Sequence, residues 1–193
     1  MESKKRKKGL IMPQTITSER TSINTHKVPA VYNKISYLSY QRNGHTTKLF
    51  DYGCGRKETR DLIKAKLDKY EIEYIPYDPY NMPEHEANYN LKRIEEANII
   101  VCSNVLNVID SDQVVESIMR KLDKLSQARD IFISVYEGDG TGIGKITSKG
   151  YQRNELVSEY GRKMNMIHGT ISAGHRYYNL YRGIVHNTTN KLF

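Results

Sequence analysis

Residues 48–56 read Lys-Leu-Phe-Asp-Tyr-Gly-Cys-Gly-Arg, and this stretch decides the fold. It is a short apolar strand that ends in an acid and is followed at once by a Gly-x-Gly turn. The pattern predicts a helix over residues 58–70 and then a second strand over residues 73–77, which leads into a second acid, Asp78. A strand, a glycine turn, a helix and an acid-tipped strand together form a half-site for a ligand that carries a nucleoside.

Strands and helices alternate along the rest of the chain. The patterns predict further strands at residues 98–103, 131–136, 166–171 and 177–185, and helices at residues 28–40, 112–125 and 152–164. This alternation predicts a single α/β domain with a Rossmann-like, doubly wound and mostly parallel sheet. Right-handed crossovers would place the first strand at the switch point, where ligands bind at the carboxyl ends of strands.

The same patterns divide the chain into three regions. Residues 1–14 form a basic tail that we expect to be disordered, and residues 15–47 form an N-terminal arm and helix. Residues 48–193 form the ligand-binding domain.

Composition excludes several kinds of site. Two cysteines cannot build a disulfide framework or a four-ligand zinc site, and the six histidines show no metal-ligand spacing, so we expect no metal. No apolar run approaches the roughly 20 residues of a membrane span. We therefore expect a soluble protein of the cytoplasm that has no membrane partner.

The formal charge of +8 points toward a polyanionic partner such as DNA or RNA. The run Lys4-Lys5-Arg6-Lys7-Lys8 alone supplies five positive charges, so the remainder of the chain is only mildly basic. Such a run is either a solvated tail or a mobile arm that grips phosphates. The fifteen tyrosines also have two interpretations, because tyrosine can stack on nucleic-acid bases but also packs at the rim of a core.

The turn itself argues against a dinucleotide ligand. A dinucleotide fingerprint would have its third glycine at position 58, where this chain has Glu58. A negative charge at the start of a helix is badly placed for a pyrophosphate, so a cofactor with a cationic amino-acid end fits better. Asp78 would accept hydrogen bonds from ribose hydroxyls, and Asp51 would either orient the turn or face an ammonium group through water.

Three segments carry a resemblance to a known family: residues 51–56 (Asp-Tyr-Gly-Cys-Gly-Arg), 77–80 (Tyr-Asp-Pro-Tyr) and 104–109 (Asn-Val-Leu-Asn-Val-Ile). In this order they resemble the class I S-adenosylmethionine-dependent methyltransferases. More narrowly, they resemble the methyltransferases associated with DNA phosphorothioation and related phage-encoded proteins. The match covers about residues 48–136, and it implies a Rossmann-like methyltransferase fold that binds S-adenosylmethionine.

The resemblance implies a set of cofactor-binding residues: Asp51, Gly53, Cys54, Gly55, Asp78, Pro79, Ser103 and Asn104. One position departs from the family, because Lys57 stands where the family has a third glycine. Its side chain would either crowd the methionine end of the cofactor or pair with the methionine carboxylate. A relative that keeps the fold without the chemistry is therefore an alternative.

The substrate side offers candidates of two kinds. Asn104 and Glu137 are the candidate catalytic residues, since an amide carbonyl can face an amine and a carboxylate can act as a base. The candidate substrate-binding residues are Asn107, Asp139, Tyr151 and Arg153. Each also has a structural interpretation: the asparagines could cap a turn or a helix, the acids could be solvated, and residues 151–154 could simply begin a helix. Cys54 and Cys102 are more simply packing groups than nucleophiles.

We therefore expect a methyltransferase that transfers the methyl group of S-adenosylmethionine to nucleic acid. The alternatives are a methyltransferase of small molecules or proteins, and an inactive binding or counter-defence protein. A phage-encoded copy would act in the cytoplasm of its host. The oligomeric state is not predicted.

Overall fold

A computed structural model describes residues 27–33, 35, 47–126, 129–147, 150–163, 170–175 and 178–183. Beyond Tyr160 it describes the backbone alone. The predicted tail lies outside the described residues, as does most of the predicted arm. Residues 31–33 and 35 are helical, as the pattern over residues 28–40 predicts.

The described chain alternates strands and helices. The strands are β1 (Thr47–Tyr52), β2 (Ile72–Tyr77), β3 (Ile99–Ser103), β4 (Asp130–Tyr136), β5 (Lys145–Thr147), β6 (Gly150–Gln152), β7 (Thr170–His175) and β8 (Tyr178–Gly183). The α-helices are α1 (Lys57–Leu67), α2 (Glu84–Lys92), α3 (Asp112–Ser126) and α4 (Val157–Lys163). Short 3-10 turns lie at Asp68–Tyr70, Arg93–Glu96 and Leu106–Val108.

The main sheet has six strands in the order β2-β1-β3-β4-β8-β7. The first four strands run parallel, and β8 is antiparallel to both of its neighbours. The chain leaves β1 toward β2 on one side and returns to β3 on the other, so the switch point lies between β1 and β3. The predicted α/β fold with a doubly wound, mostly parallel sheet is confirmed.

Helices cover both faces of this sheet because the strand side chains alternate between the faces. On one face, Val31, Tyr32 and Ile35 pack with residues of α1 against Leu49 and Val101. On the other face, residues of α3 and α4 pack against a larger cluster that contains Phe50, Ile100, Ile133, Val115, Met119, Leu122 and Tyr160. A strand buried on both faces reads as a continuous apolar run, which explains why residues 99–102 were recognisable as a central strand.

Two connections contain elements that the sequence patterns did not predict. Residues 81–90 looked like a polar connection, but they include most of α2, which buries only Ala87 and Asn90. So little apolar periodicity gives no helical signal. The glycine-rich segment after β4 contains the hairpin of β5 and β6, whose first strand is fully exposed.

The predicted helix over residues 152–164 is wrong at its beginning. Gln152 ends β6, and the helix starts only at Val157, because residues between them are held by bonds to other segments. The two terminal strands are confirmed with shifted bounds, since the first runs from Thr170 to His175 instead of ending at residue 171.

Candidate functional site

The glycine turn after β1 is held tightly on one side and open on the other. Gly53 and Gly55 have φ angles of +78° and +76°, which favour glycine. A Cβ atom on Gly53 would lie 2.3 Å from Cγ2 of Val105, so the segment after β3 packs directly on the turn. A Cβ atom on Gly55 would meet no atom within 4 Å. The turn therefore leaves room for a ligand above Gly55 and for none at Gly53.

Asp78 ties this turn to the end of β2. Its side chain is 4% exposed, and its two oxygens accept four hydrogen bonds within the protein. The donors are the backbone N–H of Gly55 at 2.9 Å, those of Tyr80 and Asn81 at 2.9 and 3.1 Å, and Nδ2 of Asn81 at 2.9 Å. A carboxylate has about four such positions, so a ribose hydroxyl could bind Asp78 only by replacing one of these donors.

Asp51 faces the side of the sheet that carries the N-terminal segment. Its carboxylate is 1% exposed and accepts hydrogen bonds from the hydroxyl groups of Tyr74, at 2.6 Å, and Tyr32. Burial raises the pKa of Asp51 to about 6, although the two tyrosine hydrogen bonds act in the opposite direction. When this buried carboxyl group is ionised, it places a negative charge two residues before the glycine turn.

Within the part of the chain that the structure describes, three polar side chains at and just after the carboxyl end of β3 have an oxygen without a hydrogen-bond partner. These atoms are Oγ of Ser103, Oδ1 of Asn104 and Oδ1 of Asn107, and each is buried. Asn104 also adopts a left-handed backbone with φ +57°, and its N–H donates to the carbonyl of Ser134 at 2.6 Å. Unpaired buried acceptors are rare in folded proteins, so three of them within five residues mark this strand end as a place where a ligand with N–H or O–H groups can bind.

The acids after β4 are used by the protein itself. Glu137 is 8% exposed, and its Oε1 accepts the backbone N–H of Val157 at 2.8 Å, which caps α4. Asp139 is an exposed loop residue that bonds Thr141 and Lys145, and these bonds lower its pKa to about 2. Both carboxylates therefore bond within the protein, and the roles predicted for them at the substrate stay predictions.

The segment after β6 is bonded to the turn that follows β3. Arg153 donates from Nη1 to the carbonyl of Ile109 at 2.9 Å and pairs with Asp112 and Glu155. The guanidinium group of Arg153 therefore bonds to the carbonyl of Ile109 and pairs with two carboxylates of the protein itself. Tyr151 lies on β6, and a Cβ atom on Gly144 would stand 1.7 Å from its hydroxyl oxygen, so this ring packs on the neighbouring strand.

No family model and no curated protein sequence matches the chain. Among solved structures, it is similar to 1,6-didemethyltoxoflavin-N1-methyltransferase of Burkholderia thailandensis, with a TM-score of 0.50 and 16% identity. The match covers 80% of this chain and 79% of that one. This chain has a class I methyltransferase fold.

Two further solved structures match with TM-scores of 0.46 and 11% identity. One is a mitomycin 7-O-methyltransferase, for which the match covers 79% of this chain and 53% of that one. The other is assigned as an O-methyltransferase of Nostoc punctiforme PCC 73102, with coverage of 80% and 56%. The narrower resemblance to phosphorothioation-associated and phage proteins stays a prediction.

Within this methyltransferase fold, the predicted cofactor residues meet at one edge of the sheet. Gly53, Cys54, Gly55 and Asp78 surround the turn, Ser103 and Asn104 stand across the switch point, and Pro79 is exposed beside Asp78. Cys54 is buried against Met82, with 3.9 Å between the sulfur atoms, and burial strongly raises the pKa of its thiol. Its side chain is a packing group.

Lys57 points away from the turn. Its ammonium group pairs with Asp61 one helical turn later at 2.8 Å, and 75% of the side chain is exposed. Glu58 is exposed as well. In this arrangement the residue that departs from the family pattern does not crowd the space above Gly55.

Three residues of the site were not predicted from the sequence. Tyr32 and Tyr74 hold Asp51, and Gln152 holds Asn107 through a bond from Asn107 Nδ2 at 3.2 Å. Tyr74 could have been found, because it is an interior residue of β2 on the same side as the acid of β1. Tyr32 and Gln152 come from distant segments and gave no local signal.

Across residues 27–33, 35, 47–126, 129–147, 150–163, 170–175 and 178–183, no group of histidine, cysteine, aspartate and glutamate side chains could hold a metal ion. No helix in this part of the chain is long and apolar enough to cross a membrane.

Proposed function

We propose that this protein is an S-adenosylmethionine-dependent methyltransferase. The observation that carries the proposal is the open glycine turn at the switch point, which faces the unpartnered oxygens of Ser103 and Asn104. The similarity in fold to a Burkholderia methyltransferase that was crystallised with S-adenosylhomocysteine supports it.

The chemistry of the site fits this cofactor. S-adenosylmethionine offers an ammonium group, ribose hydroxyls and an adenine amine, and all of these donate hydrogen bonds. The site offers acceptors on Ser103 and Asn104 and two buried carboxylates, Asp51 and Asp78. A diphosphate cofactor would bring negative charge toward these same acceptors and acids, so the electrostatics disfavour it.

The chain's residues would mainly position the reactants. When bound, the cofactor supplies a methyl group that its sulfonium charge already activates. Gly55 lets the backbone approach it, and the bond from the Gly55 N–H to Asp78 keeps the turn and the end of β2 in register. A ribose contact with Asp78 would most easily replace the amide of Asn81, because that donor is a side chain and not backbone.

For the methyl acceptor, we favour a small molecule. The described residues carry 19 lysines and arginines against 20 acidic residues, so this part of the protein has no basic excess to hold a polyanion. The Burkholderia neighbour binds a small heterocycle, 1,6-didemethyltoxoflavin, beside S-adenosylhomocysteine.

A nucleic-acid acceptor is the second candidate. The run Lys4-Lys5-Arg6-Lys7-Lys8 favours it, and so does the resemblance of residues 51–56 and 104–109 to methyltransferases associated with DNA phosphorothioation. A salt titration of DNA and RNA binding, with the full chain and with a chain that lacks residues 1–12, tests it. Binding that weakens steeply with salt and is lost on truncation supports this acceptor. Labelled methyl groups that appear only in small metabolites eliminate it.

The inactive alternative rested on Lys57, whose side chain is paired with Asp61 in solvent. Calorimetry with S-adenosylhomocysteine distinguishes an active methyltransferase from a relative that keeps the fold without binding the cofactor. We expect micromolar binding to the wild-type protein, and an absence of binding would refute the proposed function.

A matched pair of glycine variants locates the binding site. Gly55 and Gly142 have φ angles of +76° and +71°, and a Cβ atom on either would meet no atom within 4 Å. An alanine therefore causes the same backbone strain at both positions, but only Gly55→Ala fills the proposed cofactor space. We expect Gly55→Ala to weaken S-adenosylhomocysteine binding by about tenfold or more, and Gly142→Ala to leave it within about twofold. Equal effects of the two variants would contradict this location.

A further inference from the structure

A relay of two side-chain amides links the carboxyl end of β3 to the end of β4. Nδ2 of Asn107 donates to Oε1 of Gln152 at 3.2 Å, and Nε2 of Gln152 donates to the backbone carbonyl of Tyr136 at 2.7 Å. A backbone carbonyl can only accept, so it fixes the orientation of both amides. The relay therefore ends in Oδ1 of Asn107, which must be the acceptor end of that amide.

This acceptor end has no partner in the described part of the chain. Asn107 is 3% exposed, and its Oδ1 is both buried and without a hydrogen bond. The backbone carbonyl of Asn107 is bonded separately, by the N–H of Arg153 at 2.8 Å. The backbone and Nδ2 of Asn107 thus hold the turn, whereas Oδ1 makes no bond within the described residues. A leucine has the same branched side-chain skeleton and would avoid the buried unpaired oxygen, but it would also remove the bond to Gln152.

Several charged side chains of this region are paired within the protein. Arg153 is held by Asp112 and Glu155, and Asp139 is held by Lys145. What remains available near Asn107 is an uncharged acceptor. Such an atom is satisfied by an N–H or O–H donor, and it gives a carboxylate or phosphate nothing to bind.

We propose that Asn107 determines acceptor specificity by accepting a hydrogen bond from an N–H group of the methyl acceptor. The acceptor is then an uncharged nitrogen compound, such as a heterocycle or amide with a free N–H. Gln152 is a positioning residue, because its bond to Nδ2 of Asn107 leaves Oδ1 as the atom that can accept from a ligand. This inference rests on the proposed function and names the substrate class of the same site.

Residues 141–147 are exposed, and the connection from β4 to β5 contains three glycines at positive φ, Gly138, Gly140 and Gly142. The backbone between β4 and β6 therefore can change direction at these three positions without steric cost.

The experiment uses the full chain saturated with S-adenosylhomocysteine and a panel of small probes, measured by saturation-transfer NMR. Hypoxanthine, uracil and lumazine carry N–H groups, and each is paired with its fully N-methylated counterpart; phenol and catechol represent oxygen acceptors. We expect at least one N–H probe to bind about tenfold or more tightly than its methylated counterpart. We expect Asn107→Leu to remove this preference, and Gln152→Met to reduce it by about threefold.

The variant Asn107→Asp separates recognition from a structural role. It keeps the acceptor oxygen and the size of the side chain, but it adds a negative charge and replaces the donor to Gln152 with an oxygen. We expect its preference to move to cationic N–H donors, measured as tighter binding of imidazolium at pH 6 than of neutral imidazole at pH 8. A residue with only a structural role would not change the preferred charge of the ligand.

Several results would overturn the inference. The inference is wrong if phenols bind and N–H probes do not, if methylated and unmethylated probes bind equally, or if no probe binds. It is also wrong if the preference for N–H probes persists in Asn107→Leu. Calorimetry with S-adenosylhomocysteine on each variant provides the independent check. Normal cofactor binding with no N–H preference overturns this inference alone, whereas no cofactor binding by the wild-type protein overturns the proposed function.

Discussion

The substitution Asp51→Asn is expected to make the protein more stable near neutral pH while weakening its binding of S-adenosylhomocysteine. Asp51 is 1% exposed and is bonded by the hydroxyl groups of Tyr32 and Tyr74. An asparagine keeps the shape and an acceptor oxygen for one of these hydroxyls, but it removes the buried charge. A group that costs stability and lies beside a binding turn is a candidate for a functional role.

The magnitude follows from the pKa of Asp51. Burial, which the nearby charge of Asp78 reinforces, raises this pKa from 3.8 to about 6. Because the pKa is higher in the folded protein than in the unfolded chain, the stability that Asp51 contributes is fully present below pH 3.8 and is lost as the pH rises through about 6. The rise corresponds to about 3 kcal/mol at pH 7.5. Weaker bonds from the two tyrosines to the neutral amide reduce the expected gain to about 1–3 kcal/mol.

Urea unfolding of the wild-type protein and of Asp51→Asn at pH 7.5 and pH 5 measures this difference. At pH 5 the wild-type carboxyl group is largely protonated in the folded protein, so the gap between the two proteins is expected to fall by about 1.4 kcal/mol. The comparison at two pH values is its own control, since a change in packing alone would not depend on pH. A variant less stable than the wild-type protein at pH 7.5, or a gap that does not change with pH, would refute the reasoning.

Substitutions at three further positions test the site. Gly53→Ala places a Cβ atom 2.3 Å from Val105 Cγ2 at a φ of +78°, so we expect the free energy of unfolding in urea to fall by about 2–4 kcal/mol. An unchanged urea midpoint would mean that the turn is not packed as described. Glu137→Ala leaves the buried N–H of Val157 without its acceptor and should lower the free energy of unfolding by about 1–3 kcal/mol, whereas Glu137→Gln should recover most of this loss. Both variants should keep methyl transfer once folded, so a folded Glu137→Gln protein without methyl transfer would support a catalytic role for Glu137. Lys57→Ala should change unfolding by less than about 0.5 kcal/mol and leave S-adenosylhomocysteine affinity as it is, because this pair is exposed; tighter or weaker cofactor binding in calorimetry would show that Lys57 reaches the site.

The strand-turn-helix unit was predictable because its signals are local. The apolar run of β1, the two glycines and the apolar face of α1 are all contained in about 20 consecutive residues, and each follows the period of its own element. The same reason made β3 and β4 recognisable, since strands buried on both faces are almost wholly apolar. Helix α2 was not predicted, because it buries only two residues and so shows little apolar periodicity.

The roles of individual polar residues were less predictable. Glu137 was predicted as a catalytic candidate and Arg153 as a substrate-binding one, because the sequence shows which side chains can bond but not which partners reach them. Glu137 meets a backbone N–H twenty residues later, and Arg153 meets Asp112 forty-one residues earlier. Asp78 was expected at the turn and lies there, but its contacts with Gly55 and with its own loop fill its oxygens.

The amino-acid sequence alone predicted the four parallel strands, helices α1 and α3, and the place of the glycine turn at the end of β1. These depend on periodicity and on the backbone freedom of glycine, which neighbouring residues reveal. Only the tertiary structure decided which polar groups are used by the protein and which are left for a ligand. Hydrogen-bond partners come from segments far apart in the chain, and so the unpartnered oxygens of Ser103, Asn104 and Asn107 became apparent only after the strands and connections had packed together.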